Sequence, residues 1–453
     1  MNKLIESNVN KNIFLRGRIH KSRRQNKKLC FVILRDNLQT IQCVLFQSEN
    51  LTRDLIDKIS SLNDESIIEF EGTVKKVDTP INSTTIKDFE LSVISYKIIS
   101  ESNMVPIRIE DLARKITDDE EEEQCTVSQN TRLNNRVIDL RTKTSQSIFK
   151  IQSRICQFFR EYLLEKDFVE IHSPKLLSTA SESGSSVFEV KYFDKKAYLA
   201  QSPQFYKQMA INADFPKVFE IGSVFRAENS NTHRHLTEFI GLDLEMRIDN
   251  DYSEVLETLY GLMVYIFKNI ETKCQSELNL IKEQFDIYDL KYSEEMVRIS
   301  YKDAVKLLNE NGVEMEETDD LSTTNEKLLG ELVKKKYDTD LFILDKFPLT
   351  IRPFYTMPTE DGIFTHSYDI ILRGQEILSG AQRIHDVNLL EQRIKDMNIE
   401  IAPVQDYVDS FKYGSYPHGG GGFGLERFLV SYLGLDNIRK TSLFPRDPIR
   451  LSP

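Results

Sequence analysis

Tryptophan is absent from the 453 residues, and cysteine occurs only five times, at Cys30, Cys43, Cys125, Cys156 and Cys274. None of the five has CxxC spacing, and their odd number argues against a disulfide framework, so they read as reduced thiols without structural zinc. No apolar run approaches the roughly 20 residues that a membrane-spanning helix requires. The opening stretch MNKLIESNVNKNIF lacks the apolar core and small-residue cleavage site of a secretion signal, which leaves a cytoplasmic location as the expectation. The phosphate-binding pattern GxxxxGK[ST] is missing too, so any nucleotide must be held by another device.

The length allows two or three domains of ordinary size. A 40% hydrophobic and 29% charged composition is that of a globular chain. The net charge is −12, from 59 Lys and Arg against 71 Asp and Glu, and as a total it disfavours a nucleic-acid partner. The distribution reverses that reading locally. Between Asn8 and Arg35 there is no acidic residue, whereas Lys11, Arg16, Arg18, Lys21, Arg23, Arg24, Lys27, Lys28 and Arg35 are basic. Such a run is either a solvated face or a site for an RNA backbone, because phosphates reward clustered cations.

Short apolar alternations follow at Ile13 to Ile19, Cys30 to Leu34, Ile41 to Phe46, Ile67 to Val74 and Phe89 to Ile99, with one helical interruption from Leu51 to Leu62. Five strands with a helix before the fourth suit an OB-type barrel, an architecture that binds single-stranded nucleic acid. From Ser102 to Thr142 the periodicity fades around six successive acidic residues, Asp118 to Glu123, which predicts a solvated hinge. Beyond it Ile148, Ile151, Ile155, Phe158, Phe159, Tyr162 and Leu163 recur at helical spacing, followed by a strand-like Phe168 to Ile171 leading to Pro174. Alternating strands and helices run from there to the C-terminus, as in one large α+β domain.

Two segments concentrate polar chemistry. Phe225 to Phe239 crowds Arg226, Glu228, His233, Arg234 and His235 between aromatic residues, where an arginine could clamp a phosphate with two parallel hydrogen bonds. Gly419 to Arg427 contains a formal GxGxxG at Gly419, Gly421 and Gly424, but a dinucleotide fold needs a preceding strand and further βαβ units that the chain has no room for. Leu425, Phe428, Leu429, Tyr432 and Leu433 mark a helix stopped by Gly434, which places Arg427 in its first turn beside an expected glycine loop.

Taken in order, the helix and strand with Pro174, the FRAE…RH…EF stretch and the GLER segment resemble motifs 1, 2 and 3 of class II aminoacyl-tRNA synthetases. The segments SPQFYKQ (Ser202 to Gln208), Gly241-Leu242-Asp243 and EILSGAQR (Glu376 to Arg383) resemble the amino-acid-binding parts of the aspartyl branch of that family, closest to its archaeal and eukaryotic cytoplasmic type. The resemblance implies an α+β chain: an OB-fold β-barrel over 1–104, an acidic hinge over 105–142, and over 143–453 a catalytic domain built on an antiparallel sheet flanked by helices. It implies activation of L-aspartate with ATP to the adenylate and pyrophosphate, then transfer to the terminal adenosine of tRNA(Asp).

The same resemblance carries residue roles. Arg226, Arg427 and Glu376 are the expected catalytic groups. Glu228, Arg234, His235, Leu236, Phe239 and Gly424 join them around ATP, and Glu376, Ser379 and Asp369 are the expected Mg²⁺ ligands. Lys207 and Arg383 are expected to pair with the substrate side-chain carboxylate, Asp243 and Glu182 with its ammonium, with Ser181, Gln204 and Ser379 completing the pocket. Ser183 stands where close relatives often have glycine. Arg23, Phe31, Gln42, Ser83 and Glu90 match anticodon-contacting positions, and Ser230, Asn231 and Thr232 those near the acceptor end. Motif 1 around Pro174 implies a homodimer. The rival readings are an asparaginyl enzyme, against which Lys207 speaks, a catalytically silent RNA-binding paralogue, and an amide-forming relative.

Overall fold

The computed structural model describes residues 1–115, 126–178 and 187–453. The chain forms two compact units, Met1–Lys143 and Thr144–Pro453.

In the first unit, strands β1 (Asn12–Asn26), β2 (Leu29–Asp36), β3 (Gln39–Phe46), β4 (Ile67–Lys76) and β5 (Phe89–Ser100) close into a barrel in the order β1-β2-β3-β5-β4, with the helix Arg53–Ser60 between β3 and β4. Period-two alternation sends Cys30, Val32 and Leu34 of β2, and Ile41, Cys43 and Leu45 of β3, into the core. Closure is tight: a Cβ on Gly72 would lie 2.4 Å from the Ser92 carbonyl. β1 runs past the expected end at Ile19 because Lys21 to Arg24 pair with Ile33 to Cys30 of β2, so part of the basic cluster lies on a hairpin.

The stretch expected as a hinge carries short helices at Ile109–Leu112, Gln129–Asn134 and Arg136–Asp139. Buried Asp139 accepts from Arg132 at 2.9 Å and Arg136 at 2.6 Å, and Arg141 pairs with Glu65 of the barrel at 2.8 Å. Residues 126–143 fall in the first unit, and among these pairs Arg141 with Glu65 is the one that reaches the barrel. The acidic run Asp118 to Glu123 lies outside the described residues.

In the second unit the chain contributes β6 (Val169–Glu170), β7 (Leu176–Leu177), β8 (Glu189–Tyr192), β9 (Lys195–Leu199), β10 (Lys217–Phe225), β11 (Glu238–Arg247), β12 (Arg298–Ser300), β13 (Leu341–Asp345), β14 (Ser367–Leu372), β15 (Gln375–Gln382) and β16 (His418–Gly424). Eight of them form one sheet in the order β12-β13-β14-β15-β16-β11-β10-β6, and β7, β9 and β8 form a small second sheet. The large sheet is antiparallel through its middle and parallel only at its edge pairs, β12 with β13 and β10 with β6. The helix Lys143–Leu164 packs Ile148, Ile151, Ile155, Phe158, Phe159 and Leu163 into the core as its spacing predicts, beside the helix Ser253–Lys273.

Strand geometry then divides β11. Leu242, Leu244 and Met246 join the apolar core, while the alternate residues Asp243 and Glu245 point to the other face, where the cavity lies.

Candidate active site

That second face carries a cavity of about 470 Å³. Its wall draws on β10, β11, β15 and β16, the start of the helix Leu425–Leu433, and the segment Arg352 to Thr356. The expected glycine loop is in fact the strand β16, and the reason is steric. A Cβ on Gly422 would meet Asp243 Oδ1 at 2.2 Å, and one on Gly420 would meet Glu245 Oε2 at 2.5 Å. The glycines clear space for two acidic side chains crossing from the neighbouring strand. Gly434, at φ 66°, ends the following helix as expected.

One end of the cavity is cationic. Arg226, Arg234, His235 and Arg427 line it together with Glu228, Leu236, Phe239, Glu376 and Gly424. The guanidinium of Arg226 lies 5.6 Å from the centre of the Phe239 ring. Burial first, then the charge of Arg427, lowers the His235 pKa. Burial likewise lowers that of Arg427, against the opposing charge of Glu376. Three guanidinium groups gathered along one open cavity make a site for a polyanion.

Across from them Glu376, Ser379 and Asp369 converge. Asp369 on β14 stands directly opposite Ser379 on β15. Burial, with the charge of Glu376, raises the Asp369 pKa to about 6 against the pull of Arg352. Asp369 Oδ1 is buried and has no hydrogen-bond partner among the described residues. An orphaned carboxylate oxygen beside a second carboxylate and a hydroxyl is a hard oxygen set, and it fits Mg²⁺.

The third region is a balanced charge cluster. Lys207, on the helix Gln204–Asn212, contacts Asp243 at 3.1 Å and Glu245 at 3.4 Å. Arg383 donates to Glu245 at 3.0 and 3.3 Å and to the Gly420 carbonyl at 3.0 Å. Arg383, Asp243, Gln204 and Ser379 line the cavity, whereas Lys207 sits one layer behind its wall. Buried Gln204 has an Nε2 without a partner among the described residues. Ser181, Glu182 and Ser183 lie outside the described residues.

Glu245 adds a partner that the sequence did not suggest for this pocket. Lys207 pairs with both Asp243 and Glu245, and Arg383 pairs with Glu245. Fully buried Glu245 loses solvation, yet Arg383 and Lys207 outweigh that loss and hold its pKa below the ordinary value. Arg352 and Glu326 also escaped the sequence. Glu326, on the helix Thr323–Tyr337, accepts from the Glu376 backbone N–H and lies 3.6 Å from Arg234, and nothing in its linear surroundings marks it. Arg352 carries a faint signal, as the one charge between Phe347 and Thr359.

The loop between β10 and β11 is pinned. Thr232 Oγ1 lies 2.6 Å from His235 Nδ1 and Ser230 Oγ 3.4 Å from it, while Arg439 donates to Asn231 Oδ1 at 2.7 Å and to the Thr232 carbonyl at 2.9 Å. In the barrel, Arg23 pairs with Phe31 across β1 and β2, its guanidinium 5.5 Å from the ring centre, and Gln42 donates to Glu90 at 3.0 Å. Strand register puts Arg23, Phe31, Gln42 and Glu90 on the outer face, and exposed Ser83 sits in the loop between β4 and β5.

The chain is similar to known proteins over both units. The family model of the tRNA synthetases class II (D, K and N) matches residues 128–448, and that of the OB-fold nucleic acid binding domain matches residues 13–99. The chain is 51% identical over 443 residues to the cytoplasmic aspartate–tRNA ligase of Homo sapiens, covering 97% of this chain and 88% of that protein. The structure of aspartyl tRNA synthetase from Entamoeba histolytica aligns with a TM-score of 0.90 at 43% identity, over 100% of this chain and 92% of that one. Asparaginyl-tRNA synthetase from Pyrococcus horikoshii, complexed with asparaginyl-adenylate, aligns with a TM-score of 0.84 at 30% identity, over 99% of this chain and 97% of that one. The chain belongs to the class II tRNA synthetases of the D, K and N type.

Proposed function

We infer that this chain is an aspartate–tRNA ligase of the cytoplasm. The observation that carries the reading is one cavity with three arginines at one end and the Lys207, Arg383, Asp243, Glu245 cluster at the other. ATP takes the cationic end, its base against Phe239 with Glu228 beside it and its phosphates among Arg226, Arg234, His235 and Arg427. Aspartate takes the other end: Arg383 faces its side-chain carboxylate, backed by Lys207, and Asp243 accepts from its ammonium. Glu376, Ser379 and Asp369 would hold Mg²⁺, which when bound would offset charge on the phosphates.

In the first step an α-carboxylate oxygen of aspartate attacks the α-phosphorus, the bond to the β-phosphate bridging oxygen breaks, and pyrophosphate leaves. In the second, a hydroxyl of the terminal adenosine of tRNA(Asp) attacks the acyl carbon and AMP leaves. Neither step demands a strong base from the protein. Positioning and stabilisation of developing charge on the α-phosphate carry the acceleration, and Arg226 is placed for that task. Ser230, Asn231 and Thr232 meet the acceptor end, and Phe31 stacks an anticodon base on the barrel face with Arg23, Gln42, Ser83 and Glu90 around it. Exposed Val169 and Leu176, on short strands either side of Pro174, support a homodimer through this region, which sedimentation would test.

The deciding experiment is ATP–pyrophosphate exchange with aspartate, run in parallel with asparagine. Exchange with aspartate alone supports the reading, exchange with asparagine alone moves the chain to the asparaginyl branch, and exchange with neither refutes activation chemistry. Arg226→Ala should abolish exchange while tRNA binding persists.

A further inference from the structure

Arg352 is the single charged residue in FPLTIRPFYTMPT, and its side chain is largely buried. Pro353 follows it, which confines Arg352 to extended backbone, observed at φ −112° and ψ 150°. The guanidinium carbon lies 3.7 Å from the centre of the Phe347 ring. With backbone and one face of the guanidinium both fixed, the fork points at two partners: Nη2 donates to Asp369 Oδ2 at 2.8 Å and Nη1 donates to Ser379 Oγ at 2.9 Å.

Those partners stand opposite each other on β14 and β15, and they are two of the three groups assigned to the cation. The hydrogen bonds are selective in what they leave free. Asp369 is held by Oδ2, so Oδ1 stays without a partner among the described residues. Ser379 accepts from the arginine through one lone pair, and its second lone pair remains available.

We propose that Arg352 is a positioning residue for the divalent cation of the nucleotide: its planar fork locks the Asp369 carboxylate and the Ser379 hydroxyl in one arrangement that presents their free oxygens alongside Glu376. The inference rests on the assignment of Asp369, Glu376 and Ser379 to Mg²⁺. Without the fork the carboxylate can rotate and the hydroxyl can move away from it. A lysine would replace the fork by a point charge, which cannot bridge both groups at fixed angles.

The test uses the full chain with a non-hydrolysable ATP analogue and Mn²⁺ as the probe, reading free Mn²⁺ by electron paramagnetic resonance, for wild type, Arg352→Gln, Arg352→Lys and Glu376→Gln. Arg352→Gln should bind Mn²⁺ about 10- to 100-fold more weakly, as groups that orient metal ligands do. The Mg²⁺ concentration for half-maximal aspartate-dependent exchange should rise in step, with exchange recovering at high Mg²⁺, and Arg352→Lys should fall between the two. A purely structural clamp would lower the melting temperature and leave the Mg²⁺ dependence unmoved. A folded Arg352→Gln with wild-type Mn²⁺ affinity, beside a Glu376→Gln that loses it, overturns the role of Arg352 alone. Wild-type affinity in both variants overturns the cation site itself. Should Arg352→Gln fail to fold, Arg352→Lys decides, and wild-type Mn²⁺ affinity in it overturns the proposal.

Discussion

Glu426 offers a pH test that follows from its position in the wall of the cavity. Its carboxylate accepts the Ile240 backbone N–H at 3.1 Å and is otherwise enclosed. Burial, with some help from the charge of Glu238, raises its pKa from 4.5 to about 7. The folded state therefore binds this proton more tightly than the unfolded chain. The stability it contributes is complete below about pH 4.5 and is lost as the pH rises through about 7. That displacement corresponds to roughly 3 kcal/mol. Glu426→Gln keeps an oxygen for the Ile240 N–H and carries no charge at any pH. The variant should match wild type near pH 5 and exceed it at pH 8.5 by roughly 3 kcal/mol, on the order of 5 °C in the melting temperature of the catalytic unit. Thermal unfolding at a series of pH values, both proteins scanned at one rate, measures this. A stability difference that does not change between pH 5 and 8.5 refutes the reasoning, because the shift would then not belong to Glu426.

Glu245→Gln leaves Lys207 and Arg383 with one carboxylate between them, and breaking a buried pair costs about 3–5 kcal/mol. Denaturant unfolding should show that loss, and a change below about 1 kcal/mol would contradict the balanced-charge reading of the pocket. Gly422→Ala places a methyl group where it would overlap Asp243 Oδ1, so the carboxylate must shift. Aspartate-dependent exchange should fall by about 100-fold, as for a reacting group misplaced by an ångström, while an unaffected rate would show that Asp243 does not hold the ammonium. Phe31→Ala should weaken tRNA binding by about 1–3 kcal/mol, the worth of one stacked base, without changing pyrophosphate exchange. A filter-binding assay reads the first effect, and equal loss with a tRNA lacking the anticodon arm would count against stacking there.

The barrel was legible from alternation alone because each of its strands shows one face to a small apolar core and the other to solvent, so a period of two survives in the sequence. The helix Lys143–Leu164 was legible for the corresponding reason at a period of 3.6. The partner of Arg141 was not legible, since Glu65 lies 76 residues upstream and the pair is chosen in space. The GxGxxG pattern looked like a loop because a run of glycines carries no periodicity, and the acidic neighbours that require those glycines lie about 180 residues upstream.

Sequence by itself determined the kinds of groups available: a basic, aromatic-bearing barrel, the arginines of the FRAE and GLER segments, and the polar residues from Glu376 to Arg383. Those follow from residue identity and local spacing, which the chain carries wherever it folds. Tertiary structure alone decided which charges are spent on one another. Glu245 was silent in the sequence yet contacts both cations of the aspartate end, Glu326 reaches Arg234 from a distant helix, and Arg352 grips Asp369 and Ser379 across two strands. Buried and half-buried charges pair with whatever the packing of helices, loops and sheet brings within reach, and that packing, not sequence distance, sets the partner.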